Sequence, residues 1–356
     1  MKRFRKIRRL GRKLKIDIAD YSRFKSTRAA IRNQENGYDK YLKSIHSQIL
    51  TLNIRNKDFI MKYNKKHDRL HITKQETKNR LLPANIPMPF TYMLISSDEN
   101  IPHFYDFLAT SHHPDFVIKP DRGHIGKGIL VIKKRVGKRF ITASNRALEL
   151  SQVITHIERI NKGRFSQGKR DVAVIEQCIR PHKSLRNLYY SGLLDIRVIC
   201  FLGFPVMAMA RLPTSQSAGK ANLHRGAIGA GMRLGTGEIF HAIYKRHSVT
   251  HHPDTKYKFI GFKFENWSEI LKLAVRAQVI SGLGFTGVDL CMDETRGLLI
   301  MEVNKYPGLE IQIANQAGLL TRLRCIEMFV KNANNNLSTE EKIEKSILWD
   351  KNDWAN

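Results

Sequence analysis

Between Phe116 and Lys133 the chain reads strand, glycine-rich turn, strand. Phe116-Val117-Ile118-Lys119-Pro120 is a short apolar run closed by proline, and Gly128 to Lys133 (GILVIK) is rich in β-branched residues. The seven residues between them, DRGHIGK (121–127), hold two glycines and two basic side chains. Such a unit predicts a flap-like hairpin. It excludes a P-loop, which needs a helix after its turn. Taken alone the turn has two readings. Gly123, Gly126 and Gly128 let the backbone approach a phosphate, with Lys119 and Lys127 adding charge, or the unit is an ordinary hairpin.

Strands dominate the rest of the middle of the chain. Ile49 to Asn53, Phe90 to Ile95 and Val172 to Ile179 read as strands. Asp195–Phe201 and Pro205–Arg211 are two further strands around Gly203, followed by a polar, glycine-rich segment over 214–237. Gly287–Met292 and Leu298–Val303 pair around the turn Asp293–Gly297. Helical spacing predicts helices over 73–83, 148–160, 267–280 and 311–332. The tail, 336–356, is polar and reads as frayed. Long mixed β with flanking helices predicts an α+β fold.

Charge narrows the partners. The 356 residues hold 61 Lys and Arg against 32 Asp and Glu, a net of +29. Residues 1–80 alone hold 24 basic against 7 acidic residues, and the first 15 hold nine basic and none acidic. The expected partner is anionic, and the basic N-terminal arm is either a solvated segment or a dock for RNA, ribosome or an anionic membrane surface. It has no apolar segment after it, so it does not read as a secretory signal. No run of about 18 uncharged apolar residues is present to span a membrane. Cys178, Cys200, Cys291 and Cys325 show no metal-ligand spacing and read as reduced thiols of a cytoplasmic protein.

Asp289, Glu302 and Asn304 are the other candidates for chemistry. Alternation along a strand puts Glu302 and Asn304 on one side, and Asp289 lies on the partner strand. Two carboxylates and an amide oxygen suit Mg²⁺ that also holds phosphates. The plainer alternative is a carboxylate pair satisfied by neighbouring Lys and Arg. A phosphate flap followed far downstream by D…E-x-N on paired strands describes a nucleotide–magnesium site built from two lobes.

With these motifs the chain resembles ATP-grasp carboxylate–amine ligases, in particular the alpha-L-glutamate ligase-related, RimK-like proteins. The resemblance covers about residues 48–330. It is carried by ILTLNIRNKDFIMKYN (49–64), ITKQETKNRLLPANIPMP (72–89), FVIKPDRGHIGKGILVI (116–132), DIRVICFLGFPVMAMARLPT (195–214), KANLHRGAIGAGMRLGTGEI (220–239), HHPDT (251–255), GFTGVDL (284–290) and MEVNKYPGLEIQIANQAGL (301–319). It implies two α+β lobes clamping ATP. The units would be a basic helical arm (1–47), a reduced segment (48–90), a lobe with the flap (91–180), a lobe with the metal site (181–335) and a polar tail (336–356).

The resemblance also implies roles. Lys74 and Lys119 would meet the nucleotide phosphates, and Gly123, Gly126, Lys127 and Gly128 would form the flap over them. Glu176, Gln177, Cys178 and Ile179 would be the linker strand facing adenine. Asp195 would lie near the ribose, and Lys220 and Asn222 on the phosphate and metal side. Asp289, Glu302 and Asn304 would hold Mg²⁺, with Mn²⁺ as an alternative. Two departures stand out. Ile125 replaces a flap glycine, and Lys305-Tyr306-Pro307-Gly308 follows E-x-N where the family tends to have Ala-Arg-Pro-Gly.

The implied activity is ATP-dependent amide formation through an acyl phosphate, joining glutamate or a similar amino acid to a peptide, protein or small-acid acceptor. Homo-oligomers are common for this fold. Arg197, Arg211 and Arg225 are candidate holders of substrate carboxylates, because guanidinium forks match carboxylates. Each has an alternative: pairing with Asp195 or another acid for Arg197, phosphate for Arg211, plain surface for Arg225. His224 is either a general base or a hydrogen-bonded structural histidine. The alternative to catalysis is a basic RNA- or ribosome-binding protein with a degenerate or regulatory ATP-grasp core.

Overall fold

The computed structural model describes residues 48–64, 73–111, 113–123, 126–332 and 336–354. The basic arm (1–47) and flap residue Ile125 lie outside these. Thirteen strands form two antiparallel sheets among the described residues. They are β1 (Thr91–Ile95), β2 (Phe116–Pro120), β3 (Leu130–Val136), β4 (Arg139–Thr142), β5 (Ala147–Glu149), β6 (Ala173–Glu176), β7 (Asp195–Phe201), β8 (Phe204–Leu212), β9 (Ile228–Met232), β10 (Ile239–Tyr244), β11 (His247–Ser248), β12 (Phe285–Asp293) and β13 (Gly297–Asn304). The smaller sheet runs β1-β6-β2-β3-β4-β5 and the larger β11-β10-β9-β8-β7-β12-β13.

Each sheet has its own core. Phe116, Ile118, Ile132 and Ile175 of the smaller sheet pack with Phe104 and Leu108 of the helix Ile101–Thr110 and Val153, Ile157 and Ile160 of the helix Leu150–Asn161. The larger sheet is buried on both faces through β7, β8 and β12, so these strands read as nearly unbroken apolar runs. The helix Trp267–Ser281 covers one face. The short helix Ile311–Asn315 lies over β8, β9 and β10 on the other. It approaches so closely that a Cβ on Gly231 would fall 2.2 Å from the Ala314 carbonyl oxygen.

Several sequence expectations are corrected. Residues 49–53 do not form a strand. The Leu50 N–H and C=O are instead taken by the Gln312 side chain (2.8 and 3.1 Å), and Thr51 caps a helical segment over 52–63 whose middle, Arg55–Ile60, has π geometry. The single helix expected over 311–332 is broken at Gln316, which adopts φ +51°, and resumes at Leu320–Asn332. The segment 214–237 contains β9, and β10 and β11 follow it. The tail is not frayed: Ser338 and Glu341 close a capping box on the helix Thr339–Lys351, which packs against β8. No helix among the described residues is long and apolar enough to cross a membrane.

Candidate nucleotide and metal site

The hairpin expected around the glycine turn is present, with Phe116 opposite Ile132 and Ile118 opposite Leu130. Lys119 is the last residue but one of β2, and the register of β2 on β6 sets Val117 opposite Glu176 and Lys119 opposite Val174, so Lys119 and Glu176 share a face. Glu176, only 5% exposed, takes Lys119 Nζ at 2.5 Å on one oxygen and Lys78 Nζ at 2.7 Å on the other. Lys78 also donates to Thr91 Oγ1 at 2.5 Å. Burial pushes the Glu176 carboxyl up, but Lys119 and Lys78 outweigh it and hold it below the ordinary range. Burial lowers the Lys78 pKa against the pull of Glu176. Two ammonium groups thus share one carboxylate, leaving a net positive charge at the end of β2.

Lys74 sits one turn earlier than Lys78 on the helix Lys74–Leu81, which Thr73 and Glu76 cap reciprocally. Its ammonium donates to the carbonyls of Asp121 (3.1 Å) and Gly123 (2.8 Å). Asp121 Oδ1 accepts the Gln75 N–H at 2.8 Å, so the helix start and the flap base are tied together. Gly126 and Gly128 have φ +63° and +76°, where a side chain is strained. Lys127 is exposed.

After β6 the linker bends onto the β12–β13 turn. The Gln177 N–H donates to the Phe90 carbonyl, and its side chain accepts from Arg296 Nη1 at 2.8 Å. The Arg180 N–H donates to Asp293 Oδ2. Burial raises the Cys178 thiol to about 11, which keeps it protonated and unreactive. Ile179 follows in the same irregular stretch.

On the larger sheet, cross-strand register sets Asp195 opposite Arg211, Arg197 opposite Asp289 and Asp289 opposite Glu302. Asp289 is 4% exposed and receives four donors. Arg197 contributes Nε and Nη2 at 2.7 Å each, Arg211 Nη2 at 2.8 Å and Asn304 Nδ2 at 2.9 Å. Arg211 also grips Asp195 at 2.5 and 2.6 Å. Burial works against the Asp289 charge, yet Arg197 and Arg211 hold its pKa down. Asp195 goes the other way: burial and the adjacent Asp289 raise it to about 6 against Arg211. For Asp289 the plainer expectation, a carboxylate satisfied by arginines, is the arrangement present. Arg197 and Arg211 are likewise engaged with acids rather than open.

The loop after β8 brings the remaining candidates. The Asn222 side chain accepts the His224 N–H, and His224 Nε2 lies 2.8 Å from Glu310 Oε1. Burial and Arg225 lower the Lys220 ammonium pKa. Arg225 is exposed and has no acidic partner among the described residues. The two charge clusters lie close enough that the buried Cys291 thiol, two residues from Asp289, feels both Asp195 and Lys119. Sequence reasoning missed Lys78. It also missed Arg55, whose Nη1 donates to the Pro307 carbonyl at 2.7 Å beside Tyr306.

Residues 54–328, more than three quarters of the chain, match the family described as sugar-transfer associated ATP-grasp. The chain belongs to this family. As an ATP-grasp protein it is also similar to solved structures of low identity. The ligase PsnB with its minimal precursor is 16% identical, with 76% of this chain and 63% of that one covered and a TM-score of 0.39. D-alanine–D-alanine ligase from Bacillus anthracis is 14% identical, with 80% and 69% covered and a TM-score of 0.38. D-cycloserine synthetase DcsG is 14% identical, with 78% and 71% covered and a TM-score of 0.39. The chain spans somewhat under two thirds of the length of the PsnB structures. No curated protein matches it.

The donor set bears on magnesium. Glu302 has no hydrogen-bond or ion-pair partner among the described residues, and Asn304 uses only its Nδ2, leaving Oδ1 open. These are hard oxygens two residues apart on one face of β13, and they fit a magnesium ion that keeps waters or phosphate oxygens. Asp289 Oδ2 is taken by Arg197, Arg211 and Asn304, and Oδ1 by Arg197 Nε alone.

Proposed function

We propose that this ATP-grasp protein is an ADP-forming carboxylate–amine ligase. ATP phosphorylates an acceptor carboxylate, the acyl phosphate is attacked by an amine, the C–N bond forms, and phosphate leaves. The observation that supports this best is the pairing of a net-positive cluster, Lys78–Glu176–Lys119, with the open oxygens of Glu302 and Asn304 on the neighbouring sheet. Phosphoryl transfer asks mainly for positioning and charge stabilisation, which these groups supply.

Lys119 and Lys74, with the flap amides near Gly123, Gly126 and Gly128, hold the phosphates in line. Lys127 closes over them. Glu302 and Asn304 would hold Mg²⁺, with Asp289 as the third ligand, and the ion neutralises phosphate charge when bound. The linker Gln177–Cys178–Ile179 faces the base, and Asp195 the ribose side. Lys220 and Asn222 line the phosphate side of the loop after β8. Arg225, which has no acidic partner among the described residues, takes a substrate carboxylate, while Arg197 and Arg211 orient Asp289 and Asp195. Flap closure keeps water from the acyl phosphate.

The amine is glutamate or a similar amino acid in this reading, and the acceptor is a peptide, a protein or a small acid. The test is phosphate release from ATP and Mg²⁺ with a panel of amino acids and acidic acceptors, with products weighed by mass spectrometry. Amino-acid-dependent release with an acceptor heavier by one amide-linked residue supports the ligase. Nucleotide binding without turnover across the panel overturns it.

A further inference from the structure

The run HHPDT (251–255) follows β11 and lies against the start of the loop 213–226, which carries Lys220, Asn222 and Arg225. His252 is fully buried and uses both ring nitrogens. Nδ1 accepts the backbone N–H groups of Asp254 and Thr255, at 3.2 and 3.3 Å. The ring proton is therefore on Nε2, which donates to the Pro213 carbonyl at 3.0 Å. Burial lowers the His252 pKa against the pull of that carbonyl and of Asp254, so the ring stays neutral and Nδ1 stays an acceptor. Asp254 grips Ser215, with Oδ2 accepting its N–H at 2.8 Å and Oδ1 its hydroxyl at 2.5 Å. Burial opposes the Asp254 charge, but Ser215, His252 and Lys256 hold its pKa below the ordinary range.

Between these two grips is the neck of the loop. Thr214 lies between Pro213 and Ser215 and is fully buried. Its hydroxyl donates to the Gly226 carbonyl at 2.6 Å, which closes the loop across 12 residues. The Ser217 hydroxyl accepts the Thr214 N–H and donates to the Thr214 carbonyl, at 3.0 Å each. Farther out, Tyr244 Oη donates to Gln216 Oε1 at 2.8 Å, and His224 meets Glu310 at 2.8 Å. Both of these outer ties are exposed, where a polar contact holds weakly. The buried neck sets the direction in which Lys220, Asn222 and Arg225 are presented.

We infer that His252 and Asp254 are positioning residues, which hold the neck of the loop 213–226 from outside so that Lys220, Asn222 and Arg225 are in place before a ligand arrives. That the loop serves the nucleotide phosphates rests on the ligase reading; that His252 and Asp254 hold its neck does not. A neck released from Ser215 lets the loop populate other arrangements, and apparent affinity falls by the fraction of competent loop that is lost. Thr255 supplies an internal control. It belongs to the same turn, but its hydroxyl donates to the Asn187 carbonyl at 2.9 Å rather than to the loop.

The test is hydrogen exchange of the loop amides in the full chain, together with calorimetric titration of an imido analogue of ATP with Mg²⁺. In Asp254→Ala, exchange over 213–226 is expected to rise at least about tenfold and affinity to fall at least about fivefold, with melting close to that of the native chain. Asp254→Asn keeps an acceptor for the Ser215 N–H and a donor for its hydroxyl, so both quantities should return to within about twofold of native. Thr255→Val breaks a hydrogen bond of the same turn and should leave both within about twofold. Should Asp254→Ala not fold, Ser215→Ala, at an exposed residue, gives the same two changes in smaller measure. Faster exchange with unchanged affinity, an Asp254→Asn chain as impaired as Asp254→Ala, or an equal loss in Thr255→Val overturns the assignment. Variants that rank as expected, with no amide ever formed on any acceptor, sink the ligase reading alone. Amide formation at equal rate and equal KM for ATP in the native and Asp254→Ala chains sinks the positioning role alone. A native chain that does not bind the analogue overturns both.

Discussion

Two buried ion clusters line the two sheets, and they differ in charge balance. On the smaller sheet Lys78 and Lys119 share one carboxylate, Glu176, so the cluster is one positive charge in excess. On the larger sheet Arg197 and Arg211 face Asp195 and Asp289, two against two. Burying charge is costly unless each charge finds a partner. In the balanced cluster every charge has an opposite partner within the sheet. The unbalanced one leaves an ammonium under-paired at the end of β2, beside the glycine flap, where an anionic ligand would complete it. Composition is similar in both; what separates a structural cluster from a ligand-seeking one is the count of charges and the openness of the edge.

The largest effect expected from this contrast is on stability. Asp289→Ala leaves the buried Arg197 guanidinium without its acid, while Arg211 keeps Asp195, and should cost about 3–5 kcal/mol in urea unfolding. Glu302→Ala, its cross-strand neighbour with no side-chain partner among the described residues, should change stability by no more than about 0.5 kcal/mol while abolishing metal-dependent turnover. Equal stability losses for the two would mean that the guanidinium pairing of Asp289 adds nothing to the fold beyond what Glu302 adds.

Next in size is Glu176→Gln. The amide keeps an acceptor but removes the charge between two ammonium groups, at about 2–3 kcal/mol. Lys78→Ala should share that loss. Lys74→Ala should not, because Lys74 spends its ammonium on two flap carbonyls and is half-buried. For Lys74→Ala a roughly tenfold weaker ATP affinity with nearly unchanged melting is expected, read by calorimetry and thermal unfolding. A large stability loss in Lys74→Ala would instead make it a third member of the buried cluster.

The backbone pattern was readable where one rule governed. Phe116–Pro120 and Asp195–Phe201 appear where their apolar runs place them, and the helix Trp267–Ser281 follows its periodicity. Residues 49–53 fail because a side chain 262 positions away, Gln312, takes the hydrogen bonds that a strand partner would take. The tail helix was signalled by Ser338 three residues before Glu341, but its charged composition hides the two residues it buries, Ile343 and Ser346. At the site, the candidate residues were legible and their partners were not. Lys74 and Lys78 are one helical turn apart and equivalent by sequence. Only Thr91 and Glu176, brought in by β1 and β6, decide which is buried. Likewise the spacing of Asp289 and Glu302 says nothing of the strand register that hands one of them to Arg197.

A third cluster sharpens the comparison through exposure. Glu327 on the helix Leu320–Asn332 lies between Lys62 and Arg324, each at 2.6 Å, with Tyr63 Oη at 2.5 Å. Here too one carboxylate takes two cations, but Asp58 also pairs with Arg324 at 2.8 Å, so this surface cluster is balanced, and Lys62 and Arg324 are exposed. Burial pushes the Glu327 carboxyl up, but Lys62, Tyr63 and Arg324 together bring it down to about 2. Its pKa is therefore lower folded than unfolded. The stability it contributes is full above the ordinary glutamate value and is lost as pH falls through about 2. Because solvent screens its partners, that contribution should be roughly 1–2 kcal/mol, below that of Glu176. Comparing urea unfolding of the native chain and Glu327→Gln from pH 6 downward isolates it. The gap between the two should be widest near pH 6 and shrink steadily below about pH 4.5. A gap independent of pH would mean that Glu327 holds its neighbours by shape and neutral hydrogen bonds rather than by charge, and that openness to water removes the electrostatic term altogether.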